Sequence, residues 1–569
     1  MRKTHNIFNL QVLAIVLASL VTGCNSQKAV EGNNLLSDDT QQLINWISTI
    51  GSDRFGGRKP MTRFEDTTIN YLASEMEKAG LQPAFNGSWF QEVEMISSTI
   101  HPEGNCFSFH SDGSGTDLQY PDDLIFWTAR ATDRIDLKDC GVVFAGFGIE
   151  APEYNWNDFE GVDVKDKIVI AMVNDPGFYD ASLFKGRNMT YYGRYTYKFD
   201  QAEKMGAAAC LILHNTEAAS YAFDVLVHGH VGSNCALFDK ESRNMNCLAL
   251  KGWINEEGCA KLMAEAGLDF NEMISAAKKP GFKAVELKLK GSMSASVEYS
   301  TDVTHNVAGV LPGTDLKDEA IVFSAHWDHF GSSVPDSSGD SIYNGAADNG
   351  SGIAAILLIA KKLKEQAIHP RRSLVFLSPT LEESGLFGSQ YYCEHPAFPM
   401  DRTAACINFD CIAPAPLTKE ISFLGGGESN LDYFVMASAA AQGRSVYFDD
   451  DNSDGWYYRS DHYNFVKKGV PALVMENGRE LVDPSKPNKY PQKDWYHQPS
   501  DEYKEDWDMS GTIANINVMI GAASAIANMD EMPKWNPGSP YARKESAGNE
   551  TKRPSFFRDK WTKLKKHLH

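Results

Sequence analysis

The stretch Ile321-Val322-Phe323-Ser324-Ala325-His326-Trp327-Asp328-His329 decides the fold. Its first five residues are apolar or small with no polar alternation, which reads as a strand buried on both faces, the kind found in parallel sheets. The run then breaks into two histidines and an aspartate. Leu374 to Ser378, Ala405 to Phe409 and Ala472 to Met475 repeat the strand pattern downstream. Helices fill the intervals, and Ile353, Ile356, Leu357, Ala360 and Leu363 give one of them an apolar face. From about Gly291 the chain is therefore an α/β fold, whose ligands are expected off the carboxyl ends of its strands.

Potential metal ligands fall at that edge. The first strand runs into His326-Trp327-Asp328-His329 and the third into Asn408-Phe409-Asp410; the second is followed closely by Glu382-Glu383-Ser384-Gly385. Between them lies the glycine-rich run Asn344 to Gly352, which carries Asp348, and downstream comes Tyr496-His497. Histidine nitrogens and carboxylate oxygens are the ligands of catalytic zinc, whereas structural zinc prefers a thiolate cage, for which no cysteine pair is present. A carboxylate shared by two ions lets both act on one water and one carbonyl, and Asp348 is the natural bridge. Each motif alone has an ordinary reading: a hydrogen-bonded core histidine, a solvated pair of glutamates, or an aspartate capping a helix, which Asn349 or Ser351 could do equally well. Five in this order are much less expected by accident.

Outward from this centre, Asp39 to Gly80 predicts two amphipathic helices, with Leu43, Ile44, Trp46 and Ile47, then Ile69, Leu72 and Met76, at helical spacing. Beyond Asp139 the texture turns to short apolar runs punctuated by glycine and aspartate, as in Ile168 to Met172, with a helix expected over Ala202 to Ala209 and a strand at Cys210 to Leu213. Tyr192-Gly193-Arg194-Tyr195 either reaches the cleft or forms a turn with an exposed arginine. His228-Gly229-His230 has no carboxylate pattern beside it to suggest another metal. The first 23 residues read as an export leader: Arg2 and Lys3, an apolar stretch from Ile7 to Val21, and Leu20-Val21-Thr22-Gly23-Cys24, which resembles a bacterial lipobox with Cys24 as the lipidated residue. Residues 24–37 form a polar tether. Ten cysteines less Cys24 leave nine, an odd number that defines no disulfide framework. The net charge of −21 excludes nucleic acid as a partner, and 43% hydrophobic residues over 569 positions suffice for two domains.

The ligand series, together with Thr304-His305-Asn306-Val307, Leu311-Pro312-Gly313, Ser460-Asp461-His462 and Gly469-Val470-Pro471-Ala472, resembles the two-zinc aminopeptidase family that includes glutamate carboxypeptidase II and the non-enzymatic transferrin receptor. The resemblance covers about Leu36 to Arg134 and Val297 to Met529. Gly146-Phe147-Gly148, Tyr154 to Asp158 and Gly206-Ala207-Ala208 resemble the protease-associated domain inserted in several members. It implies a mixed central sheet flanked by helices, with peptidase parts at 38–134 and 292–530, the inserted β-rich domain at 135–291, and a basic tail at 531–569. Carried over, the family pattern gives His326 and Asp410 to one zinc, Glu383 and His497 to the other, and Asp348 to both. Glu382 is left for proton transfer, Asp328 resembles the residue that fixes the ligand histidine, and Tyr496 resembles the tyrosine that polarises the scissile carbonyl. Ala347, where some members are acidic, and Cys411, where an apolar residue is common, depart from the pattern without removing a ligand.

The expected activity is removal of amino acids from the free N-termini of peptides, through a water activated by two Zn2+ ions and Glu382. The expected location is outside the cytoplasm, on a bacterial envelope membrane held by the lipid on Cys24. A carboxypeptidase on the same metal site, a one-zinc glutaminyl cyclase, and a peptide-binding protein with vestigial zincs remain as alternatives. In the basic tail, Phe556, Phe557, Trp561, Leu564 and Leu568 either face anionic lipid or dock on the acidic body.

Overall fold

A computed structural model describes residues 37–101, 107–111, 113–366, 369–449 and 451–543. The leader, Cys24, most of the tether and the aromatic residues of the basic tail lie outside the described residues. The fold is mixed α/β, with a central sheet flanked by helices.

Four parallel strands form the heart of the catalytic sheet, in the spatial order Arg372–Ser378, Leu316–Ser324, Thr403–Asn408 and Ala472–Asn477. Every residue of Arg372–Ser378 and Thr403–Asn408 is buried, as expected of strands covered on both faces. Antiparallel strands close the two sides: Val285–Leu311 pairs with Arg372–Ser378, and Glu420–Leu424 pairs with Ala472–Asn477. Helices Asp38–Ile50, Arg63–Lys78, Gly352–Glu365, Leu431–Ala441 and Ser510–Asn528 flank this sheet. The first starts on Ser37, whose side chain accepts from the Thr40 amide, and the second on Thr62, which accepts from the Phe64 amide. Leu43, Ile44, Trp46, Ile47 and Ile50 are all buried, so the helical spacing in the sequence marks the face that meets the core.

A second group of parallel strands, Arg134–Phe144, Ile168–Met172, Ala209–Leu213 and Leu250–Ile254, forms a strand-rich unit with apolar clusters of its own. Two strands upstream join it: Phe107–His110 pairs with Lys290–Met293, and Leu124–Trp127 pairs with Lys251–Ile254. The helix before Ala209 spans Tyr195–Lys204, earlier than its sequence suggests, because Tyr197, Phe199 and Ala202 supply the buried face. Strand Val285–Leu311 is 27 residues long and belongs to both sheets. Its first half pairs with Arg134–Phe144 and its last residues pair with Arg372–Ser378. The eight described cysteines are all free.

Candidate metal centre

The carboxyl ends of the parallel strands converge on one cluster. Strand Leu316–Ser324 delivers His326 and Asp328, strand Arg372–Ser378 leads to Glu382 and Glu383, and strand Thr403–Asn408 to Asp410. The loop before helix Gly352–Glu365 brings Asp348. Asn349, not Asp348, caps that helix, its Oδ1 accepting from the Gly352 amide at 3.0 Å. That frees the Asp348 carboxylate to face the cluster.

Asp348 lies between two histidines: Oδ1 is 3.3 Å from Nε2 of His326, and Oδ2 is 3.4 Å from Nε2 of His497. On the first side, Asp410 Oδ1 lies 3.5 Å and Glu382 Oε2 3.9 Å from the same His326 nitrogen. On the second, Glu383 Oε2 lies 3.2 Å from His497 Nε2. Ligand atoms of His326, Glu382 and Asp410 fall within 4.8 Å of one another, as do those of His326, Asp348 and Glu383. Tyr496 stacks on His497 with ring centroids 3.7 Å apart, and its hydroxyl makes no hydrogen bond to a described residue. All the predicted site residues therefore meet in one place. Cys411 joins Asp348 and Asp410 in a third such group. Burial, reinforced by the neighbouring carboxylates, holds its thiol pKa well above the ordinary value, so it sits there as a neutral thiol.

The electrostatics of the cluster are those of excess negative charge. Burial pushes the Glu382 carboxyl well above the usual range, and Asp410, Glu383 and Asp461 add to the effect. Burial alone would keep His326 neutral, but Glu382, Asp328, Asp348 and Asp410 outweigh it and hold the ring pKa well above its ordinary value. The same balance, with burial opposed by Asp348 and Glu383, places His497 at about 9. Nε2 of His497 is buried without a hydrogen-bond partner although two carboxylates face it. Histidine nitrogens and buried carboxylates collected this way, with Nε2 of His329 and of His497 unpaired, fit divalent zinc. One ion would take His326 and Asp410, the other Glu383 and His497, and Asp348 would take part in both.

Asp328 and four residues without a sequence assignment hold these groups in place. His329 Nδ1 lies 2.6 Å from Glu383 Oε1, leaving Oε2 for His497. Asp328 accepts from the amides of Glu382 and Glu383 at 3.0 and 3.3 Å, and its Oδ1 is 3.7 Å from His326 Nδ1. Ser460 Oγ donates to Asp410 Oδ2 at 2.6 Å while accepting from Asn408 Nδ2 at 2.7 Å. Asp501 accepts from the amides of Ala347 and Asp348 at 2.8 and 2.9 Å, and burial raises its own pKa to about 6. Arg58, fully buried, donates to the carbonyls of Trp327, Ile50, Asn344, Gly345 and Asp348, fastening the ends of two ligand segments together. His329 could have been found from its place in the first motif; Arg58 carries no local signal at all.

The tempting pair His228 and His230 is occupied otherwise. His230 stacks on Trp127 with centroids 4.0 Å apart and meets Asn234 Oδ1, while His228 Nδ1 contacts the Asp224 carbonyl.

Comparison with known proteins agrees with this picture in part. A probable leucine aminopeptidase 2 of Aspergillus oryzae is 25% identical over 227 residues, which is 37% of this chain and 42% of the relative. Aminopeptidase YwaD of Bacillus subtilis is 28% identical over 224 residues, 38% of this chain and 42% of the relative. The chain thus spans about two fifths of the length of these curated relatives. The solved aminopeptidase from Aneurinibacillus sp. strain AM-1 aligns over 87% of this chain and 95% of its own, with a TM-score of 0.46 and 18% identity. Residues 306–520 match the description peptidase family M28, and that segment contains His326, Asp328, Asp348, Glu382, Glu383, Asp410, Tyr496 and His497.

Proposed function

We propose that this protein is a zinc-dependent exopeptidase that hydrolyses the N-terminal peptide bond of peptides, and that it works at an envelope membrane held by a lipid on Cys24. One observation carries the catalytic reading: the two oxygens of the Asp348 carboxylate face two separate histidine and carboxylate groups. The family match and the relatives named as aminopeptidases support it.

When bound, a pair of zinc ions would lower the pKa of a shared water and polarise the scissile carbonyl. The chain's own groups do the rest. Glu382 faces the same space as the ligands, and its carboxylate accepts the proton of the attacking water and then passes it to the departing amine. Tyr496, held by its stack on His497, donates its hydroxyl to the carbonyl oxygen as negative charge develops there. Asp328 fixes both glutamates through their amides, so base and ligand keep their separation. Carboxylates bordering the centre hold the free α-ammonium of the substrate, which confines cleavage to the terminal bond.

The test is a panel of peptides with free or acetylated N-termini, incubated with and without chelator. Hydrolysis should need both the free amine and the metal. Cleavage of acetylated peptides that stops on C-terminal amidation would convert the reading to a carboxypeptidase.

A further inference from the structure

We propose that Cys411 is a further ligand of the centre, its sulfur binding the same zinc ion as Asp348 and Asp410. This rests on the zinc reading above and adds a soft donor to it.

Strand Thr403–Asn408 ends just before Asp410, and in an extended chain the side chain after Asp410 would point to the opposite face. The backbone at Cys411 is left-handed instead, with a φ of 54°, which breaks that alternation. Asn349 holds the turn against the Asp348 loop: its Nδ2 donates to the Phe409 carbonyl at 2.8 Å, and its Oδ1 accepts from the Cys411 amide at 3.4 Å. Ser351 Oγ accepts from the Ile412 amide at 3.1 Å. The residues on both sides of Asp410 are thus tied to the loop that carries Asp348.

In consequence Cys411 Sγ and carboxylate oxygens of Asp348 and Asp410 all lie within 4.8 Å of one another. Those two carboxylates are the ones given, with His326, to a single ion. Zinc bonds of about 2.0–2.2 Å to oxygen and about 2.3 Å to sulfur set ligand atoms about 3.5 Å apart in a tetrahedron, which a small rotation of the side chain reaches. The thiol makes no hydrogen bond to a described residue, and the groups that face it are Asp348, Asp410, Asp501, Glu383 and Tyr496. Without ions these acids keep it protonated. A divalent cation reverses the local field, so the sulfur bonds to the ion and its proton passes to water. The two halves of the centre are then unlike, one with a soft donor and the other with nitrogen and oxygen alone.

The experiment loads the protein with zinc, removes the excess by dialysis and records X-ray absorption at the zinc edge. Wild-type protein should show a sulfur neighbour at about 2.3 Å, and Cys411→Ser only nitrogen and oxygen. Cobalt in place of zinc should give a thiolate-to-metal charge-transfer band in the near ultraviolet that Cys411→Ser lacks. Cys411→Ser and Cys411→Ala should each weaken one of the two zinc affinities by more than the about 10–100-fold that loss of an outer hydrogen bond costs, with the melting temperature of the metal-free protein unchanged. Zinc held by nitrogen and oxygen alone in the wild type, or a cobalt band that persists in Cys411→Ser, overturns the proposal. A wild type that retains no zinc overturns it together with the metal reading, whereas a zinc–sulfur bond without hydrolysis of any peptide removes the peptidase reading alone.

Discussion

Around Lys198, in the strand-rich unit, two buried carboxylates share one buried ammonium. Asp175 accepts from the Thr190 amide, the Thr190 hydroxyl and the Gly177 amide; Asp158 accepts from the Ile149 amide and the Trp156 indole; Lys198 donates to the Asn174 carbonyl. The chain's own donors serve both acids, which outnumber the ammonium by one, and burial raises Asp158 to about 7 and lowers Lys198 to about 7. At the metal centre, Asp348, Glu382, Glu383 and Asp410 meet His326, His329 and His497, with Asp461 and Asp501 close behind. The guanidinium behind them, Arg58, gives its hydrogen bonds to backbone carbonyls, that of Asp348 included, and none to these carboxylates. One buried cluster has its acids served by the chain's own donors, and the other would be completed by the ions proposed above. The larger excess of buried acid marks the candidate site.

Substitutions should separate the two clusters by the sign of their effects. Glu382→Gln should lower kcat by about 10²–10⁴ while keeping bound zinc and leaving the melting temperature equal or higher, because it removes a buried charge of the excess sign. Loss of zinc together with activity would show that Glu382 serves as a ligand. Lys198→Met should do the reverse, destabilising the fold by about 3–5 kcal/mol with the catalytic groups untouched.

That deficit should depend on pH. A carboxylate whose folded pKa is raised from 3.8 to about 7 makes the folded state bind more protons over that interval, so stability falls as pH rises through it. Without the ammonium the Asp158 pKa rises further. Denaturation at pH 5 and pH 8 should therefore show the smaller Lys198→Met deficit at pH 5, and an equal deficit at both would break the assigned pairing.

Chelation tests the other side of the comparison. At a zinc concentration a hundredfold above Kd, removing the metal should cost about 2.7 kcal/mol of stability, read as a drop in melting temperature that zinc restores. Ser460→Ala should have the smallest effect, weakening zinc binding by about 10–100-fold through the freed Asp410 carboxylate, measured by competition with a chelating dye.

Much of this was legible in the sequence, for physical reasons. Strands buried on both faces must be apolar throughout, so Ile321 to Ala325 announces itself, and ligands at strand ends follow in chain order. The supporting groups are legible only in part. Ser460 acts through a hydrogen bond to a carboxylate and Asp501 through two from backbone amides, a role their residue type does not advertise. Arg58 precedes Trp327, whose carbonyl it holds, by 269 residues, and no local pattern connects them. Arg194 was visible as a residue, but its approach to Gly455, where an added Cβ would lie 3.6 Å from its Cδ, depends on how the strand-rich unit is seated.

That seating has a mechanical consequence. A cap joined through flexible loops can swing, whereas strand Val285–Leu311 runs unbroken from the ladder of one unit into the ladder of the other. Moving the strand-rich unit away from the catalytic sheet by a hinge at this junction would require bending a paired strand or breaking its rungs. The strand-rich unit is thus joined to the catalytic sheet by continuous paired backbone rather than by a loop, so the two are expected to move together.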